Sequence, residues 1–216
     1  MLNKKVTLLD YGLCNLLNVA RAFEHVGADV LITEDPSIAV MAERLVVPGV
    51  GAFRDSILEV EARGFDDAIK RFIKTDRPFL GICVGMQMLF DSSEEFGDHL
   101  GLGIFSGDVK AIPKKTSEGI SHRIPHIGWN HLIPPEMDRD WDETLLEQFK
   151  GKHPAVYFVH SFAADPKDST IRLADTLYGG HRVCAAVQKN NIMATQFHPE
   201  RSGEIGLNIL NDFLRY

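Results

Sequence analysis

The sequence predicts an α/β fold in which a mixed, mostly parallel sheet is flanked by helices. In the first half of the chain, short aliphatic runs alternate with longer amphipathic segments, which is typical of parallel strands covered on both faces. In the second half, extended runs follow one another closely, which favours antiparallel strands. Because 216 residues with 44% hydrophobic content suffice for one substantial core, we expect a single domain over residues 1–216.

Four strands and three helices are expected in the first half of the chain. The strands, rich in β-branched or aliphatic residues, cover 6–9, 30–33, 45–47 and 79–83. The helices cover 15–25, about 55–62 and 65–74. The first of these helices has apolar residues on one side, at Leu16, Val19, Ala20 and Phe23.

Six extended runs and one helix are expected after residue 100. We expect these runs to add antiparallel strands to the same domain, at 107–112, 128–133, 155–163, 171–177, 183–188 and 192–197. The terminal helix covers 203–215, where apolar residues recur at helical spacing: Ile205, Ile209, Leu210, Phe213 and Leu214. Prolines and charges at 134–136 and 138–143 indicate a surface excursion.

Charge and composition argue against several classes of protein. A net charge of −7 and a pI of 5.7 do not fit a nucleic-acid binder, which normally carries a basic face. The N-terminal residues lack the pattern of a secretory signal, and no run approaches the about 20 apolar residues that span a bilayer. The three scattered cysteines fit reduced thiols. We therefore expect a cytoplasmic protein whose partner is a small molecule or another protein.

Residues 81–87, Gly-Ile-Cys-Val-Gly-Met-Gln, predict a nucleophile at Cys83. They follow one apolar run and precede another, so Cys83 falls at a strand-to-helix turn with glycines on both sides, a nucleophile elbow with sulfur in place of oxygen. The first helical turn offers backbone N–H groups and a positive dipole end, which favour a thiolate and a developing oxyanion. The alternative is a buried cysteine whose glycines serve packing alone.

His198 and Glu200 lie in a Phe-His-Pro-Glu segment that closes the last expected strand. A cysteine nucleophile needs an imidazole as its base, and the imidazole needs an acceptor that fixes its tautomer. We expect Pro199 to bar a helix and to hold the segment extended, so that both side chains share one strand face. The alternative is a hydrogen-bonded histidine beside a solvated glutamate, which loses ground because a nucleophile signal stands elsewhere in the chain.

The run Pro48-Gly49-Val50-Gly51 leads from an expected strand into a turn bracketed by glycines. Such a turn can present backbone N–H groups to an anionic tetrahedral intermediate, because glycine leaves the backbone free to rotate. An ordinary strand-to-helix loop is the other interpretation.

Together these three segments resemble the triad (class I) glutamine amidotransferases. Further stretches make the chain similar to the glutaminase subunits of imidazole glycerol phosphate synthases, at 10–12, 48–51, 81–90, 93–95, 125–130, 157–162 and 196–200. These stretches are spread over nearly the whole chain. The resemblance implies a flavodoxin-like fold, and two residues depart from the family pattern: Cys14 stands where glycine is common, and Phe162 where tyrosine is frequent.

The resemblance also implies roles for individual residues. Cys83 matches the nucleophile, His198 the base and Glu200 its orienting carboxylate. Oxyanion donors are matched by Val84, Gly49 and Val50. Positions that hold the glutamine substrate are matched by Gly51, Gln87, Glu95, Ser161 and Phe162. The family's interface with its partner is matched by Ile127, Gly128, Trp129 and Asn130.

The implied activity is hydrolysis of glutamine to glutamate and ammonia through a thioester, with the ammonia passed to a (β/α)₈-barrel cyclase in histidine biosynthesis. No cofactor or metal is implied. The segment 101–107 lacks the lysine of a phosphate-binding loop, which favours a phosphorylated substrate bound by the partner.

The sequence also leaves four alternative hypotheses open. The same glutaminase can feed a barrel-like partner that makes an amidino sugar for a surface polysaccharide. A cysteine peptidase or γ-glutamyl hydrolase uses the same elbow, although the segments 48–51 and 126–130 count against it. A non-catalytic binding subunit is disfavoured because no member of the triad is missing. A metal site at His122, His126 and His131 is disfavoured by their spacing.

Overall fold

The structure is a computed structural model that describes residues 4–135 and 140–216. In chain order the helices and strands of these ranges are β1 (Lys5–Leu9), α1 (Leu16–His25), β2 (Asp29–Thr33), α2 (Pro36–Met41), β3 (Leu45–Gly49), α3 (Phe53–Ala62), α4 (Phe65–Ile73), β4 (Phe79–Cys83), α5 (Val84–Gln87), β5 (Phe90–Ser93), β6 (His99–Leu100), β7 (Phe105–Ala111), β8 (His126–His131), β9 (Ala155–His160), β10 (Phe162–Pro166), β11 (Arg172–Tyr178), β12 (His181–Lys189), β13 (Ile192–Thr195) and α6 (Gly203–Phe213). Three 3₁₀ turns lie at Glu147–Phe149, Ser169–Ile171 and Pro199–Arg201.

A seven-stranded mixed sheet with the order β11-β12-β13-β4-β3-β1-β2 forms the centre of the molecule. The five strands from β13 to β2 are parallel to their neighbours, whereas β12 and β11 add on in antiparallel orientation. The predicted α/β fold, with a mostly parallel sheet and flanking helices, is therefore confirmed.

Strands β3, β4 and β13 are buried along their whole length, as expected for central strands covered on both faces. Their registers align Gly49 with Cys83 and Thr195 with Ile82. Because the three strands are parallel, their carboxyl ends meet at one edge of the sheet, which is where open α/β sheets bind ligands.

One prediction about the second half of the chain is right only in part, and another is wrong. Residues 192–195 pair antiparallel with β12, as expected, but they also pair in parallel with β4, because this strand enters between β4 and β12 and completes the parallel part of the sheet. The run 155–163 is broken at Ser161, whose carbonyl accepts the Ile112 N–H at 2.9 Å. The break places β9 with β8 in a two-stranded sheet, and β10 in a second sheet with the order β10-β7-β5-β6.

The segment that follows Cys83 is less helical than the motif suggests. Helix α5 ends at Gln87 after a single turn, and the chain re-enters a strand at Phe90. Met88, Leu89 and Phe90 are all fully buried, and periodicity cannot distinguish strand from helix in so short an apolar run. Helix α2 and strands β5 and β6 had no clear sequence signal either.

The expected surface excursion is only partly exposed. Residues 136–139 of it lie outside the described residues. Asp140 and Asp142 are exposed, but Trp141 between them is buried, and its indole N–H donates to the Leu173 carbonyl at 2.8 Å. Alternating charges around one aromatic anchor explain why composition alone predicted a surface segment.

The terminal helix α6 packs against α1, where the rings of Phe23 and Phe213 lie 6.0 Å apart in an edge-to-face arrangement. No helix in the described parts of the chain has the length and apolarity that crossing a membrane requires.

Candidate active site

A cavity of about 420 Å³ opens at the carboxyl edge of the central sheet. Its wall contains ten of the residues predicted for catalysis, oxyanion binding or substrate binding: Val50, Gly51, Cys83, Val84, Gln87, Glu95, Ser161, Phe162, His198 and Glu200. Gly49 is buried and does not line the cavity. The wall also contains residues to which sequence reasoning gave no role: Asn15, Pro125, Val159, His160 and Arg201.

Cys83 occupies a strained backbone conformation where β4 turns into α5, with φ 55° and ψ −109°. A positive φ in a residue with a side chain is uncommon and marks a turn fixed by its surroundings. The surroundings are tight here, because a Cβ added to Gly85 would lie 1.9 Å from the Val47 carbonyl oxygen. The second glycine of the motif is thus required by the close crossing of α5 over β3, and this crossing holds Cys83 at the cavity wall.

His198 is hydrogen-bonded to Glu200, with 2.8 Å between imidazole Nδ1 and carboxylate Oε1. Both side chains are almost fully buried, at 5% and 2% exposure. The backbone N–H of His198 donates to the Tyr157 carbonyl at 2.9 Å. Ser202 Oγ accepts the Tyr157 N–H and donates to the His198 carbonyl, which ties the segment to β9 a second time.

The expected extended geometry of the Phe-His-Pro-Glu segment is wrong. Strand β13 ends at Thr195, and Pro199–Arg201 forms a 3₁₀ turn. Proline is compatible with the first position of a helical turn, because its missing N–H has no partner there. This turn, rather than a shared strand face, folds Glu200 back onto the imidazole of His198.

The imidazole of His198 favours its protonated form. Burial lowers its pKa, but interaction with Cys83, the hydrogen bond to Glu200 and the negative charges of both groups outweigh burial and raise the pKa to about 10. Nδ1 carries a proton because a carboxylate can only accept. Nε2 is buried and has no hydrogen-bond partner of normal geometry among the described residues. A protonated imidazole beside a thiol favours the thiolate, which is the form that a cysteine nucleophile requires.

The predicted oxyanion segment, residues 48–51, is held by the loop that follows β1. Tyr11 Oη and Cys14 Sγ both donate to the Pro48 carbonyl, at 2.8 and 3.2 Å. The Val50 N–H donates to the Leu13 carbonyl at 3.3 Å, so this predicted oxyanion donor is engaged by the loop. Cys14, one of the two departures from the family pattern, thus holds the predicted oxyanion segment through its thiol.

A Cβ added to Gly49 would lie 2.6 Å from Tyr11 Oη and 2.8 Å from both the Gly85 nitrogen and Val84 Cβ. Gly49 therefore packs directly on the elbow. Val84, the first residue of α5, belongs to the turn whose backbone N–H groups lack intrahelical partners.

Two of the predicted substrate-binding residues also fix the walls of the cavity. Glu95 Oε2 accepts the Phe53 N–H at 2.7 Å and so caps α3. Gln87 Nε2 donates to the Phe162 carbonyl and to Gln196 Oε1, both at 3.0 Å. The contact with Phe162 uses only its backbone, so it is independent of the departure from tyrosine at this position.

Gln196 is the main residue of the site that sequence reasoning missed. Its side chain is fully buried, and its Nε2 donates to Cys83 Sγ at 3.6 Å. The sequence signal that could have identified Gln196 is its position two residues before His198, in the same motif as the histidine and the glutamate. Arg201 was also missed; it lines the cavity with its guanidinium 4.3 Å from the Tyr157 ring centroid.

The four residues predicted as a partner interface lie together on β8. Ile127 and Trp129 point to the same side of this strand and are 56% and 58% exposed. Gly128 and Asn130 alternate with them and are half-buried. Strand β8 thus presents two large apolar side chains to solvent.

The histidines weighed as metal ligands make other contacts. A ring nitrogen of His122 contacts the Pro113 carbonyl, one of His126 contacts His160, and one of His131 contacts the His153 carbonyl. Among residues 4–135 and 140–216, no group of three or more His, Cys, Asp or Glu side chains is arranged to hold a metal ion.

Comparison with known proteins identifies the family of this chain. Residues 7–215 match the protein family described as class-I glutamine amidotransferase. The chain belongs to this family. The chain is 47% identical over 210 residues to imidazole glycerol phosphate synthase subunit HisH 1 of Legionella pneumophila (strain Lens), covering 97% of this chain and 98% of that protein.

A second relative of this amidotransferase, the HisH subunit of Geobacter sulfurreducens, is 44% identical over 214 residues. The match covers 97% of this chain and 97% of that protein. Among solved structures, PurLQS from Thermotoga maritima superposes with a TM-score of 0.71 at 19% identity, covering 99% of both chains. A structure described as glutamine amidotransferase superposes with a TM-score of 0.70 at 16% identity, covering 98% of this chain and 99% of that one. At these identities the two solved structures establish only the fold of the amidotransferase.

The substitution Gly85→Ala is expected to destabilise the amidotransferase by about 1–3 kcal/mol, because the new methyl group overlaps the Val47 carbonyl and forces α5 away from β3. Urea unfolding measures the loss. Gly151→Ala is the matched control, since its Cβ would meet no atom within 4 Å and only the positive φ of 70° opposes it. Equal losses in the two variants would contradict the close crossing.

Iodoacetamide at pH 8 is expected to label Cys83 at least about tenfold faster than the other cysteines, because alkylation needs a thiolate. Burial raises the pKa of Cys14 to about 11 and that of Cys184 to about 12. Peptide mass spectrometry over time gives the three rates. His198→Asn should slow labelling of Cys83 and leave the other two rates unchanged; faster labelling of Cys14 in the wild-type protein would contradict the assignment.

Proposed function

We propose that this chain is the glutaminase subunit of an imidazole glycerol phosphate synthase, which hydrolyses glutamine to glutamate and ammonia for histidine biosynthesis. The observation that carries the proposal is the arrangement at the cavity wall, where Cys83 on a strained elbow interacts with His198, which is bonded to Glu200. The names of the relatives that align over nearly the whole chain support the histidine pathway over an amidino-sugar pathway.

The reaction begins when the Cys83 thiolate attacks the side-chain carboxamide carbon of glutamine. The carbonyl oxygen becomes an oxyanion, to which the Val84 N–H donates. His198 then gives a proton to the amine, ammonia leaves, and a γ-glutamyl thioester remains. A water molecule attacks the thioester while His198 takes its proton, and collapse of the second tetrahedral intermediate releases glutamate and restores the thiolate.

The cavity fits an amino-acid substrate in volume and in lining. Its acidic group outside the triad, Glu95, can pair with the α-ammonium of glutamine, while Gly51 and Ser161 offer backbone and hydroxyl groups. Gln87 and Phe162 also line the cavity. The charge of Glu95 therefore orients the substrate so that its carboxamide reaches the thiolate.

Ammonia made in this cavity needs a protected exit, because bulk water would protonate and dilute it. The exposed Ile127 and Trp129 of β8 are suited to a protein contact, since large apolar side chains dominate the buried centres of interfaces. A (β/α)₈-barrel cyclase docked on this strand would receive the ammonia directly.

The conformation of the oxyanion segment, residues 48–51, controls the rate of the reaction. The Val50 N–H is bonded to Leu13 at rest, and it must leave that carbonyl before it can stabilise an oxyanion. Gly49 and Gly51 on both sides give the peptide unit freedom to rotate. One well-placed donor contributes about 2.7–4 kcal/mol, so the bond to Leu13 restrains the rate about a hundred- to a thousandfold.

The substitution Cys83→Ser is expected to abolish glutamine hydrolysis and to leave the fold intact, because a neutral hydroxyl is a much poorer nucleophile in a site arranged for a thiolate. The complex with the cyclase should still form product from added ammonium salts. Cys14→Ser is the matched control, since serine keeps a donor for the Pro48 carbonyl and should retain hydrolysis. Glutamine-dependent turnover by Cys83→Ser would refute the nucleophile.

Addition of the cyclase together with its ligand is expected to raise glutamine hydrolysis at least about a hundredfold over the isolated chain, because one oxyanion donor is released. Glutamate release is measured for the chain alone, with the cyclase, and with the cyclase and its ligand. Equal rates in all three samples would rule out the switch at Val50.

A further inference from the structure

Two buried histidines that the triad does not use link the exposed strand β8 to the wall of the active site. His126 Nδ1 lies 3.0 Å from His160 Nε2. The other ring nitrogen of His160, Nδ1, lies 2.9 Å from the Phe162 carbonyl oxygen. The other ring nitrogen of His126, Nε2, lies 3.3 Å from the amide nitrogen of Asn130, which also donates to the Leu177 carbonyl at 2.8 Å.

The direction of these hydrogen bonds is fixed from both ends. At one end, the Phe162 carbonyl can only accept, so His160 Nδ1 carries a proton, and in a neutral ring Nε2 is then an acceptor. His126 Nδ1 must therefore donate, which leaves its Nε2 as an acceptor. At the other end, the Leu177 carbonyl also can only accept, so Asn130 turns its NH₂ group inward and offers its second hydrogen to His126 Nε2. Both ends require the same direction.

The chain of bonds continues from Phe162 to the nucleophile. The Phe162 carbonyl also accepts from Gln87 Nε2, whose second hydrogen goes to Gln196 Oε1. This orients Gln196 so that its Nε2 points at Cys83 Sγ, 3.6 Å away. The two hydrogens of the Gln87 amide group are thus both used, so neither glutamine can turn over without losing a bond.

We propose that His126 and His160 are positioning residues that form a neutral, one-directional hydrogen-bond relay between Asn130 on β8 and the Phe162 carbonyl. By fixing that carbonyl, the relay holds Gln87 and, through Gln196, the thiolate of Cys83. The relay also gives β8 a route to the nucleophile that is separate from the oxyanion segment.

The surroundings keep both rings uncharged at neutral pH. Burial lowers the pKa of His160 to about 3 and that of His126 to about 4, with smaller contributions from neighbouring histidines. The groups that face the two rings are the aromatic rings of Phe158 and Tyr178 and the imidazoles of His122 and His198. A second proton on His160 would set two donors against each other across the 3.0 Å contact with His126. A second proton on His126 would do the same across its 3.3 Å contact with the Asn130 amide nitrogen.

The tautomers are tested directly by ¹⁵N NMR of the histidine side chains in the full chain, because a protonated ring nitrogen and a bare one have well-separated shifts. At pH 7, His126 and His160 are both expected to carry their proton on Nδ1 and none on Nε2, and to keep this form down to about pH 5. A proton on Nε2 of either ring at pH 7 overturns the relay. This measurement needs no enzymatic activity, so it stands apart from the proposed function.

The positioning role is tested with three variants. His126→Phe keeps the stacked ring but removes the donor to His160, and should lower kcat/KM for glutamine about five- to tenfold, the effect of one buried hydrogen bond. His126→Asn places an amide donor near the position of Nδ1 and should stay within about twofold of wild type. His122→Phe is the matched control, because His122 stacks on the same Tyr178 ring outside the relay and should also stay within about twofold.

Iodoacetamide labelling of Cys83 in the same variants gives a readout that does not rest on the proposed function. We expect an altered labelling rate in His126→Phe and wild-type rates in the other two variants. Loss of activity in His126→Asn equal to that in His126→Phe, or unchanged activity and labelling in His126→Phe, overturns the positioning role. If the phenylalanine variant does not fold, the asparagine variant and the NMR tautomers decide. Failure of the wild-type chain to hydrolyse glutamine, with the tautomers as expected, would instead count against the proposed function.

Discussion

The close approach of α5 to β3 is the constraint on which the rest of the site depends. Gly85 and Gly49 have no side chains at this crossing, and any Cβ there would overlap the opposite backbone or the elbow itself. The approach forces the positive φ of Cys83, because the chain must reverse from a buried strand into a helical turn within one residue. The strain at Cys83 is thus balanced by the packing of α5 on β3 and β4. This packing fixes the position of the thiol.

The parallel order of the central strands explains how much of this could be predicted from sequence. A glycine-bracketed cysteine, a Pro-Gly-Val-Gly turn and a Phe-His-Pro-Glu segment each follow a buried apolar strand, and parallel strands bring such segments to one sheet edge. The strand–helix alternation, the elbow and the approximate location of all three segments were therefore predictable. The 3₁₀ turn at 199–201 was not, because proline permits both an extended segment and the start of a helical turn.

The contacts that sequence could not predict are those between side chains and backbone atoms far apart in the chain. Nothing local to Val50 indicates that its N–H is bonded to Leu13, and nothing local to Gln196 indicates that it faces Cys83. The break at Ser161 is similar, since the run 155–163 is mostly apolar and contains no proline or glycine that would indicate a break. The break shows only in the pairing of its two halves with different sheets. Periodicity reports which face of an element is buried, but it does not report which partner covers that face.

Two groups of side chains of different character lie at the thiol of Cys83. On one side, His198 and Glu200 form a buried pair in which charge is stabilised, and the raised pKa of the imidazole follows from its two acidic neighbours. On the other side, the amides of Gln87 and Gln196 form a network that is neutral throughout. A thiolate with a cation on one side gains Coulomb energy, while a neutral donor on the other side orients it without adding a second charge. An anionic group in place of these neutral amides would compete with the thiolate for the imidazolium. The electrostatics of the triad therefore require that this side of the thiol stays neutral.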